Sequence, residues 1–333
     1  MQPLERDNFT MNGINKEVTI PDAMAGQRVD VACAMLFPDY SRGTLARWII
    51  DGSLIVDGKA VKPKTKVLGG EKLTLNAILE PREKWHVAQN VSFEIVHQDN
   101  DIIVVNKPCG LVVHPGAGNP DKTLVNGLLA RHADLAFLPR GGIVHRLDKD
   151  TTGLLLVATN LGSYKKLVAA IQKRDVGRYY EAIVEGRMIS GLEIDEPIGR
   201  NPHNRILKAI RSDGRPAQTS VSILERFQDH TYVRVKLQTG RTHQIRVHLS
   251  GKGFPLLGDK AYGYRGRLPI NINETLSEAL AEFDSQALHA ARLTFTHPTS
   301  NEHMDISVDA PSNFQNLVAL LRQHSLSQHS IDD

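Results

Sequence analysis

Two short stretches near the N-terminus carry apolar residues at helical spacing. The first predicts a helix over residues 28–37, and the second predicts a helix from Ser41, a suitable N-cap, to Gly52, a suitable C-terminal glycine. Apolar runs on either side of the turn pair Asp57-Gly58 predict a hairpin over residues 54–61. A further apolar run predicts a strand over residues 73–79, which completes a small N-terminal module.

From residue 91 onward the pattern changes to short apolar runs that alternate with polar loops. A helix is predicted over residues 162–173 and a short one over 242–251, and most of the other periodic segments are predicted to be strands. This arrangement predicts an α+β fold around a mixed, mostly antiparallel sheet, and the lack of a glycine-rich phosphate loop disfavours a nucleotide-binding α/β fold. Residues 80–90, with mixed charges and Pro81, are predicted to link a domain over 16–80 to a domain over 91–325. The predicted strands cover 91–96, 102–106, 143–144, 154–158, 179–184, 219–225, 232–237 and 293–296.

The composition is that of an ordinary globular chain. Of 333 residues, 41% are hydrophobic and 23% are charged, so a sizeable core is expected, and this length favours two domains. The two cysteines, Cys33 and Cys109, form neither a zinc-binding nor a disulfide pattern. The polar N-terminus is not typical of a targeting peptide, and no apolar run is long enough to span a bilayer. The sequence therefore predicts a soluble cytoplasmic protein with no membrane partner.

The net charge of +3 is concentrated in the N-terminal module. Between Ser41 and Lys72, seven basic residues stand against three acidic ones, which leaves an excess of four positive charges. A solvated charged surface is the alternative explanation. Charge that gathers on one helix and the hairpin after it is better explained by contacts with phosphates. The basic residues of this segment are Arg42, Arg47, Lys59, Lys62, Lys64, Lys66 and Lys72.

A polar loop between two apolar runs of the larger domain carries the strongest candidate chemistry. It presents Arg146, Asp148, Lys149 and Asp150 just before the apolar run 154–158. Loops between buried strands are where a rigid scaffold displays reactive groups, but a charged surface turn has the same composition. The residue types alone leave both interpretations open.

The complete segment His145-Arg146-Leu147-Asp148-Lys149-Asp150-Thr151-Thr152-Gly153 resembles the active-site motif of the RluA family of pseudouridine synthases. Other stretches are similar to the remaining motifs of that family, and the resemblance extends from residue 16 to about residue 325. One small departure is Arg178, at a position where lysine is also common, which leaves the charge unchanged. The similar stretches are 106–108, 110–111, 114–116, 178–182, 239–249, 256–259, 287–290 and 297–298.

The N-terminal module resembles the S-four RNA-binding module over residues 16–79. With this module attached, the chain is most similar to members of the family that modify uridines in helix 69 of the large-subunit ribosomal RNA. The resemblance implies a monomeric enzyme whose partner is that RNA or the assembling large subunit. The residues of the module implied to contact RNA are Arg28, Ser41, Arg42, Arg47, Lys62, Lys64 and Lys66.

The family resemblance also implies roles for individual residues of the larger domain. Asp148 is the implied nucleophile, and whether it attacks the uracil ring or acts at the ribose carbon stays open. Tyr180 is implied to stack on uracil and to transfer a proton, although strand alternation alone does not distinguish it from Tyr179. Arg146 is implied to hold open the space left by the flipped base, and Leu288 to form a pocket wall, with core packing as the alternative for Leu288. Because the isomerisation balances its own atoms and electrons, no cofactor is implied.

An ionised Asp148 in a closed pocket needs a cationic neighbour to offset the loss of water. Arg246 is the candidate, because it lies on a predicted short helix that Thr242 can N-cap and Gly251 can end. An exposed helical arginine is the alternative, and the family resemblance favours the salt bridge.

Three other functions compete with this interpretation. The spacing Asp148-x-Asp150-x-Thr also begins aspartyl-phosphate phosphatases, but the downstream acidic pair that would bind Mg²⁺ is missing after Gly258-Asp259. His243 and His248 are five residues apart rather than four and have no carboxylate cluster, so no metal site is expected. A ribosome-assembly factor that binds RNA without catalysis is the third alternative.

Overall fold

A computed structural model describes residues 13–38, 40–78, 87–116, 118–204, 206–269 and 271–329. The chain divides into two units, one of Met1–Lys84 with Ala136–Pro139 and one of Trp85–Leu135 with Arg140–Asp333. Most of the predicted linker, residues 80–86, and the end of the strand predicted over 73–79 lie outside the described residues.

The N-terminal unit packs two short helices against a small antiparallel sheet with the strand order β1-β3-β2. The sheet contributes Leu73, Leu75 and Ala77, which alternate along one strand and are all buried. The second helix contributes Leu45 and Trp48, which are also buried and belong to the same core. The elements are β1 (Gly13–Thr19), α1 (Val29–Leu36), α2 (Arg42–Ile50), β2 (Leu54–Val56) and β3 (Lys72–Ile78).

The hairpin predicted over residues 54–61 is wrong in its second strand. Asp57 and Gly58 do form a turn with positive φ, but residue 59 makes only a single bridge to Val56. Strand β2 pairs with β3 instead. The segment 59–66 is mostly exposed and contains Pro63, which cannot donate to a ladder, whereas β3 offers an apolar face to the core.

The second unit is built on a sheet in which, within the described residues, nine strands are joined. The order is β4-β5-β6-β13-β7-β12-β11-β8, and β14 pairs with β13. Strands β9 and β10 form a separate pair. The elements are β4 (Glu94–Gln98), β5 (Ile102–Lys107), α3 (Leu124–Arg131), β6 (Thr152–Ala158), α4 (Leu161–Lys173), β7 (Gly177–Glu185), β8 (Leu192–Asp195), β9 (Ile198–Arg200), β10 (Lys208–Ile210), β11 (Gln218–Arg226), β12 (His230–Leu237), α5 (Gln244–Gly251), α6 (Glu274–Glu282), β13 (Leu288–Thr296), β14 (His303–Ser307) and α7 (Ser312–His329).

The centre of the sheet is the pairing of β6 with β13, which is parallel, whereas the other strand pairs are antiparallel. All seven residues of β6 are buried, so this strand is covered on both faces. The two strands approach closely at Gly153, where φ is +103° and a Cβ atom would lie 2.3 Å from the carbonyl oxygen of Ala290. The prediction of an α+β fold with a mixed, mostly antiparallel sheet is confirmed.

Some predicted elements of this unit differ from the structure. The strand predicted over 91–96 begins only at Glu94, and residues 143–144 form a single bridge, Ile143 with Val157, rather than a strand. The chain turns just before that point, because Arg140 and Gly141 adopt left-handed conformations. Helices α3, α6 and α7 were not predicted. Among the described residues, none of the helices combines the length and the apolar character that a membrane span requires.

Candidate active site

Asp148 lies in a loop that the fold holds between a tight turn and the central strand β6. The turn passes through Gly142, where a Cβ atom would lie 2.1 Å from the carbonyl oxygen of Ala158. Leu147 is buried in the core, so its neighbour Asp148 is directed away from it and keeps 14% of its side chain exposed. The loop therefore presents one carboxylate from a rigid, buried base.

Lys107 fastens this loop from the end of β5. Its side chain is fully buried, and its ammonium donates to the carbonyl oxygens of Pro108, Leu111 and Lys149 at 2.8, 2.9 and 2.7 Å. The three bonds use every donor of the ammonium. Because Lys149 directly follows Asp148, this lysine holds the backbone beside the carboxylate. Burial lowers the pKa of Lys107 to about 8, although the carboxylates of Asp150 and Asp148 act in the opposite direction.

Arg246 joins Asp148 to a second carboxylate. Its Nη1 donates to Oδ2 of Asp148 at 3.3 Å, while its Nε and Nη2 form a bidentate pair with Asp259 at 2.7 and 2.8 Å. Only 11% of the arginine side chain is exposed. Burial alone lowers the pKa of Arg246, but Asp259 and Asp148 outweigh it and raise that pKa above its usual value. The structure thus brings together the two residues that the sequence paired, with Asp259 as the closer partner.

His243 lies on the other side of the carboxylate, with Nε2 4.0 Å from Oδ1 of Asp148. Its Nδ1 is 2.7 Å from the hydroxyl of Tyr262, which accepts the backbone N–H of Lys208 at 2.8 Å. A hydroxyl that accepts from Lys208 can donate its own hydrogen to Nδ1, and with that arrangement a neutral His243 carries its proton on the nitrogen that faces Asp148. Burial lowers the pKa of His243, which favours this neutral form.

The N-cap of helix α5 differs from the prediction. His243, not Thr242, is the N-cap residue, and its backbone is left-handed with φ 57°. The side chain of Gln244 takes part in the turn instead, because its Oε1 accepts from the Thr239 hydroxyl and the Arg241 N–H. The helix ends at Gly251 as predicted. Non-glycine residues held at positive φ are enriched at functional sites.

A cavity of about 410 Å³ opens beside Asp148. Tyr180 and Leu288 line it and are each only 5% exposed, whereas Arg146 lines it from an exposed position. Tyr179 does not line it, which agrees with strand alternation. Burial raises the pKa of Tyr180 to about 12, so the phenol keeps its proton at neutral pH. The structure therefore gathers all the residues that the sequence proposed for catalysis and substrate binding around one cavity.

The cavity is strongly basic. Among its described lining residues, Asp148 is the only acid, whereas six are arginines. Arg140, Arg146 and Arg174 are exposed, while Arg178 and Arg246 lie deeper. Such a lining favours a polyanionic ligand whose phosphates stay near the surface. The six arginines are Arg140, Arg146, Arg174, Arg178, Arg241 and Arg246.

Asp150 does not share this cavity. It lines a second cavity of about 560 Å³ with Cys109 and Phe314. Asp148 and Asp150 of this loop thus line different cavities.

The basic residues proposed to contact RNA in the N-terminal unit fall into two groups. Arg28 and Arg42 both pair with the buried Asp30, each at 2.9 Å, and so brace α1 against α2. Ser41 caps α2 by accepting the N–H of Thr44. A second group, Arg47, Lys62, Lys64 and Lys66, is exposed and forms no ion pair with any described residue.

One group of side chains in the described residues could in principle hold a metal, namely Asp99, Asp101 and His297. The Nδ1 of His297 accepts the backbone N–H groups of Thr299 and Ser300, at 3.3 and 3.0 Å. A neutral His297 therefore carries its proton on Nε2, the nitrogen that lies 3.3 Å from Asp99. A nitrogen that carries a proton is not a ready metal ligand, although it makes no hydrogen bond with the described residues either.

Several residues of the site were not identified from the sequence. Lys107, His243, Asp259 and Arg178 all lie within motifs that resemble the family, but their positions relative to Asp148 depend on contacts between distant segments. A lysine at the end of an apolar strand and just before a proline was the one local indication for Lys107.

Comparisons with known proteins identify the family of this chain. A family model described as RNA pseudouridylate synthase matches residues 101–251. The ribosomal large subunit pseudouridine synthase D of Vibrio parahaemolyticus is 49% identical over 306 residues, which are 92% of this chain and 94% of that protein. The protein of the same name from Pseudomonas aeruginosa is 49% identical over 93% of this chain and 97% of its own length. The one from Escherichia coli K12 is 46% identical over 91% and 93%.

Two solved human structures share the fold of about two thirds of this chain. Human RNA pseudouridylate synthase domain containing 1 is 28% identical, with a TM-score of 0.52 over 69% of this chain and 87% of that chain. Human RNA pseudouridylate synthase domain containing 4 is 26% identical, with a TM-score of 0.54 over 68% and 92%.

Proposed function

Because the chain belongs to the RNA pseudouridylate synthase family, we propose that it isomerises uridines of large-subunit ribosomal RNA with Asp148 as the nucleophile. The observation that carries this assignment is the pairing of Asp148 with Arg246 at 3.3 Å, in a cavity where no other described lining residue is acidic. The RNA class follows from the names of the relatives that match most of the chain. Within that RNA, helix 69 is the proposed target, in the cytoplasm where the subunit assembles.

The reaction breaks the bond between ribose C1′ and uracil N1, and the electron pair leaves with the base. The base rotates, C5 bonds to C1′, the C5 proton is lost, and N1 gains a proton. Asp148 either attacks carbon or stabilises the cationic sugar, and Arg246 keeps it ionised and oriented. Tyr180 offers its ring for stacking on uracil, Leu288 forms a wall, and Arg146 occupies the space that the flipped base leaves.

Phosphatase chemistry is a weaker candidate. It requires both acids of the segment Asp148-x-Asp150 to act on one metal and one phosphate. Here Asp148 and Asp150 line different cavities, and Asp259 is occupied by Arg246.

The proposal is tested in cells that lack this protein, by mapping pseudouridines in large-subunit ribosomal RNA. The wild-type gene is expected to restore the missing sites, and Asp148→Asn to restore none. Asp150→Asn is the matched control, because it removes a carboxylate of the same loop outside the cavity. Full growth rescue by Asp148→Asn without pseudouridine would favour a non-catalytic assembly role. Unchanged pseudouridines in the cells that lack the protein would contradict the substrate assignment.

The N-terminal unit is proposed to be an S-four-type module that binds the same RNA. Lys62, Lys64 and Lys66 are exposed in the segment before β3 and free of ion pairs with described residues, which supports contact with phosphates. Each phosphate contact lowers the slope of log affinity against log salt by about 0.7–0.9. The triple change to Gln is therefore expected to flatten the slope by roughly 2–3.

The control for the salt experiment replaces a lysine of the same unit that is already paired. Lys72 forms an ion pair with Glu17 at 2.7 Å, so the double change of both residues to Gln keeps the net charge. The slope of this control is expected to equal that of the wild type. An unchanged slope in the triple variant would mean that this surface does not face RNA.

A further inference from the structure

Arg178 is a buried arginine that has no counterion. Its residue is 4% exposed, its Nε is enclosed without a hydrogen-bond partner, and no described residue forms a hydrogen bond or an ion pair with its guanidinium. An unpaired charge in a protein interior is costly, so buried guanidinium groups are normally paired with carboxylates. Burial lowers the pKa of Arg178, as expected for a cation that lacks such a partner. No described residue accepts a hydrogen bond from any of the five donors of this guanidinium, and the Nε donor is fully enclosed.

The fold directs this guanidinium toward the cavity beside Asp148. Arg178 and Tyr180 are two residues apart on β7, so they share one face of the strand, and both line the cavity. The segment just after the neighbouring strand β12 makes room for the arginine at Gly240, where a Cβ atom would lie 2.6 Å from Nη1 of Arg178. The lining of the cavity therefore accommodates the Arg178 guanidinium, which has no carboxylate partner among the described residues.

His145, which also lines the cavity, has a second buried donor without a partner. Its Nε2 accepts the backbone N–H of Leu156 at 3.0 Å, so the neutral ring carries its proton on Nδ1. This Nδ1 is buried and has no hydrogen-bond partner in the described residues. Burial, and then the charge of Arg178, lower the pKa of His145 to about 3, so the ring is neutral at physiological pH. Arg178 and His145 thus each have hydrogen-bond donors that no described residue accepts.

We infer that Arg178 donates to a carbonyl oxygen of the flipped uracil and stabilises the negative charge that this base acquires when the bond to the ribose breaks. The inference rests on the proposed function. The burial of Arg178 favours the base over a phosphate as its ligand. Arg146 and Arg174 are exposed at the rim of the cavity, where phosphates would lie, whereas Arg178 is as buried as Tyr180. Uracil presents acceptors at O2 and O4, whereas the amino group of cytosine is a donor and would meet the donors of Arg178.

The reaction itself explains why a positive charge is needed beside the base. The electron pair of the C1′–N1 bond moves onto uracil and spreads to N1, O2 and O4, so an adjacent guanidinium stabilises the broken-bond state more than the intact nucleoside. When C5 bonds to C1′ and releases its proton, N1 takes up a proton and the charge disappears. No other reactant is required.

The first test is Arg178→Met, which keeps an unbranched apolar stem and removes the charged guanidinium. Turnover under saturating RNA is expected to fall about 100-fold, as it does when a donor to a developing oxyanion is removed. The urea midpoint is expected to stay equal or to rise, because an unpaired buried charge is removed. A lowered midpoint would assign Arg178 a structural role instead. Arg178→Lys is expected to recover part of the turnover.

The second test uses RNA in which the target uridine carries sulfur at O2 or at O4, since a thiocarbonyl is a poorer acceptor. The ratio of the rates for oxygen and sulfur substrates is expected to be large for the wild type at one of the two positions. In Arg178→Met the same ratio is expected to collapse toward one. Arg292→Met is the control, an exposed arginine paired with Asp305 on the neighbouring strand, and it is expected to keep the wild-type ratio.

Two outcomes would overturn the inference while the proposed function stands. One is a sulfur effect of equal size in the wild type and in Arg178→Met. The other is a loss confined to the salt dependence of RNA binding, which would show that Arg178 contacts a phosphate. Failure of the wild-type protein to form any pseudouridine in large-subunit RNA would instead contradict the proposed function.

Discussion

The change Lys107→Met tests whether a single buried ammonium holds the catalytic loop. Lys107 donates to three backbone carbonyls at 2.7–2.9 Å, one of which belongs to Lys149 beside Asp148. Methionine fills a similar volume but leaves the three carbonyls without this donor. Hydrogen bonds from a charged donor contribute about 1.5–3 kcal/mol each, and desolvation of the ammonium offsets part of their sum. A buried acceptor left without its donor costs about 1–3 kcal/mol, so the loss of three such bonds is expected to lower the unfolding free energy by about 3–5 kcal/mol after this offset.

The assay combines urea unfolding with the rate of pseudouridine formation. A loss of this size leaves most domains folded at 25 °C, so the activity of the folded variant is measurable. Turnover is expected to fall with little change in RNA affinity, because the loop that carries Asp148 loosens while the basic surface is unchanged. Lys149→Met is the matched control, since that side chain is exposed in the same loop and only its backbone carbonyl contacts Lys107. Destabilisation by less than about 1 kcal/mol, with normal turnover, would refute the reasoning.

The pH dependence of this effect has a definite sign. Because burial lowers the pKa of Lys107 to about 8 from 10.5, the unfolded chain binds more protons than the folded chain between these values. The contribution of Lys107 to stability is therefore lowest below pH 8 and increases as the pH rises to 10.5. The difference in unfolding free energy between the wild type and Lys107→Met should increase over the same window. A difference that is constant with pH would mean that the ammonium is not desolvated.

Two further substitutions follow from the packing around the loop. Gly153→Ala should abolish folding or lower the unfolding free energy by more than about 4 kcal/mol in urea, because the new Cβ atom would lie 2.3 Å from a backbone oxygen. Gly116→Ala is the control, and it should change the unfolding free energy little, because the space around that glycine is open. Asp259→Asn should lower turnover about 10- to 100-fold, because the fork that orients Arg246 is lost, and should also lower the unfolding free energy by about 3–5 kcal/mol, because a buried charge loses its partner. The exposed Asp305→Asn should change neither, and equal activities of the two variants would contradict the role of Asp259.

The sequence predicted the chemistry of the site better than its geometry. The segment around Asp148 resembles a complete family motif, and helical spacing on α5 identified Arg246 as a residue beside the buried stripe. The choice between Tyr179 and Tyr180 stayed open from alternation, because the period of a strand fixes two faces but does not say which face meets a cavity. In the structure, Tyr180 lines the cavity and Tyr179 does not.

Contacts between distant segments could not be predicted in this way. Leu288 reaches the cavity through the parallel pairing of β6 with β13, whose register depends on the close approach at Gly153. The hairpin predicted after Asp57-Gly58 was wrong because a favourable turn sequence does not determine which segment pairs with β2. Strand β3 has a face that is buried in the core and pairs with β2, whereas the charged segment 59–66 has no such face. Arg178 was missed because the lack of a counterion is a property of the folded neighbourhood and has no pattern in the sequence.

Tritium release from RNA that carries labelled uridine at C5 tests the role of Asp148 most directly, because the label is lost only when C5 joins the ribose. Asp148→Asn is nearly isosteric and is expected to fold, to bind RNA at least as well as the wild type, and to release no tritium, since a neutral amide neither attacks carbon nor stabilises a cationic sugar. Asp150→Asn, in the neighbouring cavity, is expected to release it at a substantial rate. Full release by the Asp148 variant, or loss of release only in the Asp150 variant, would contradict the account.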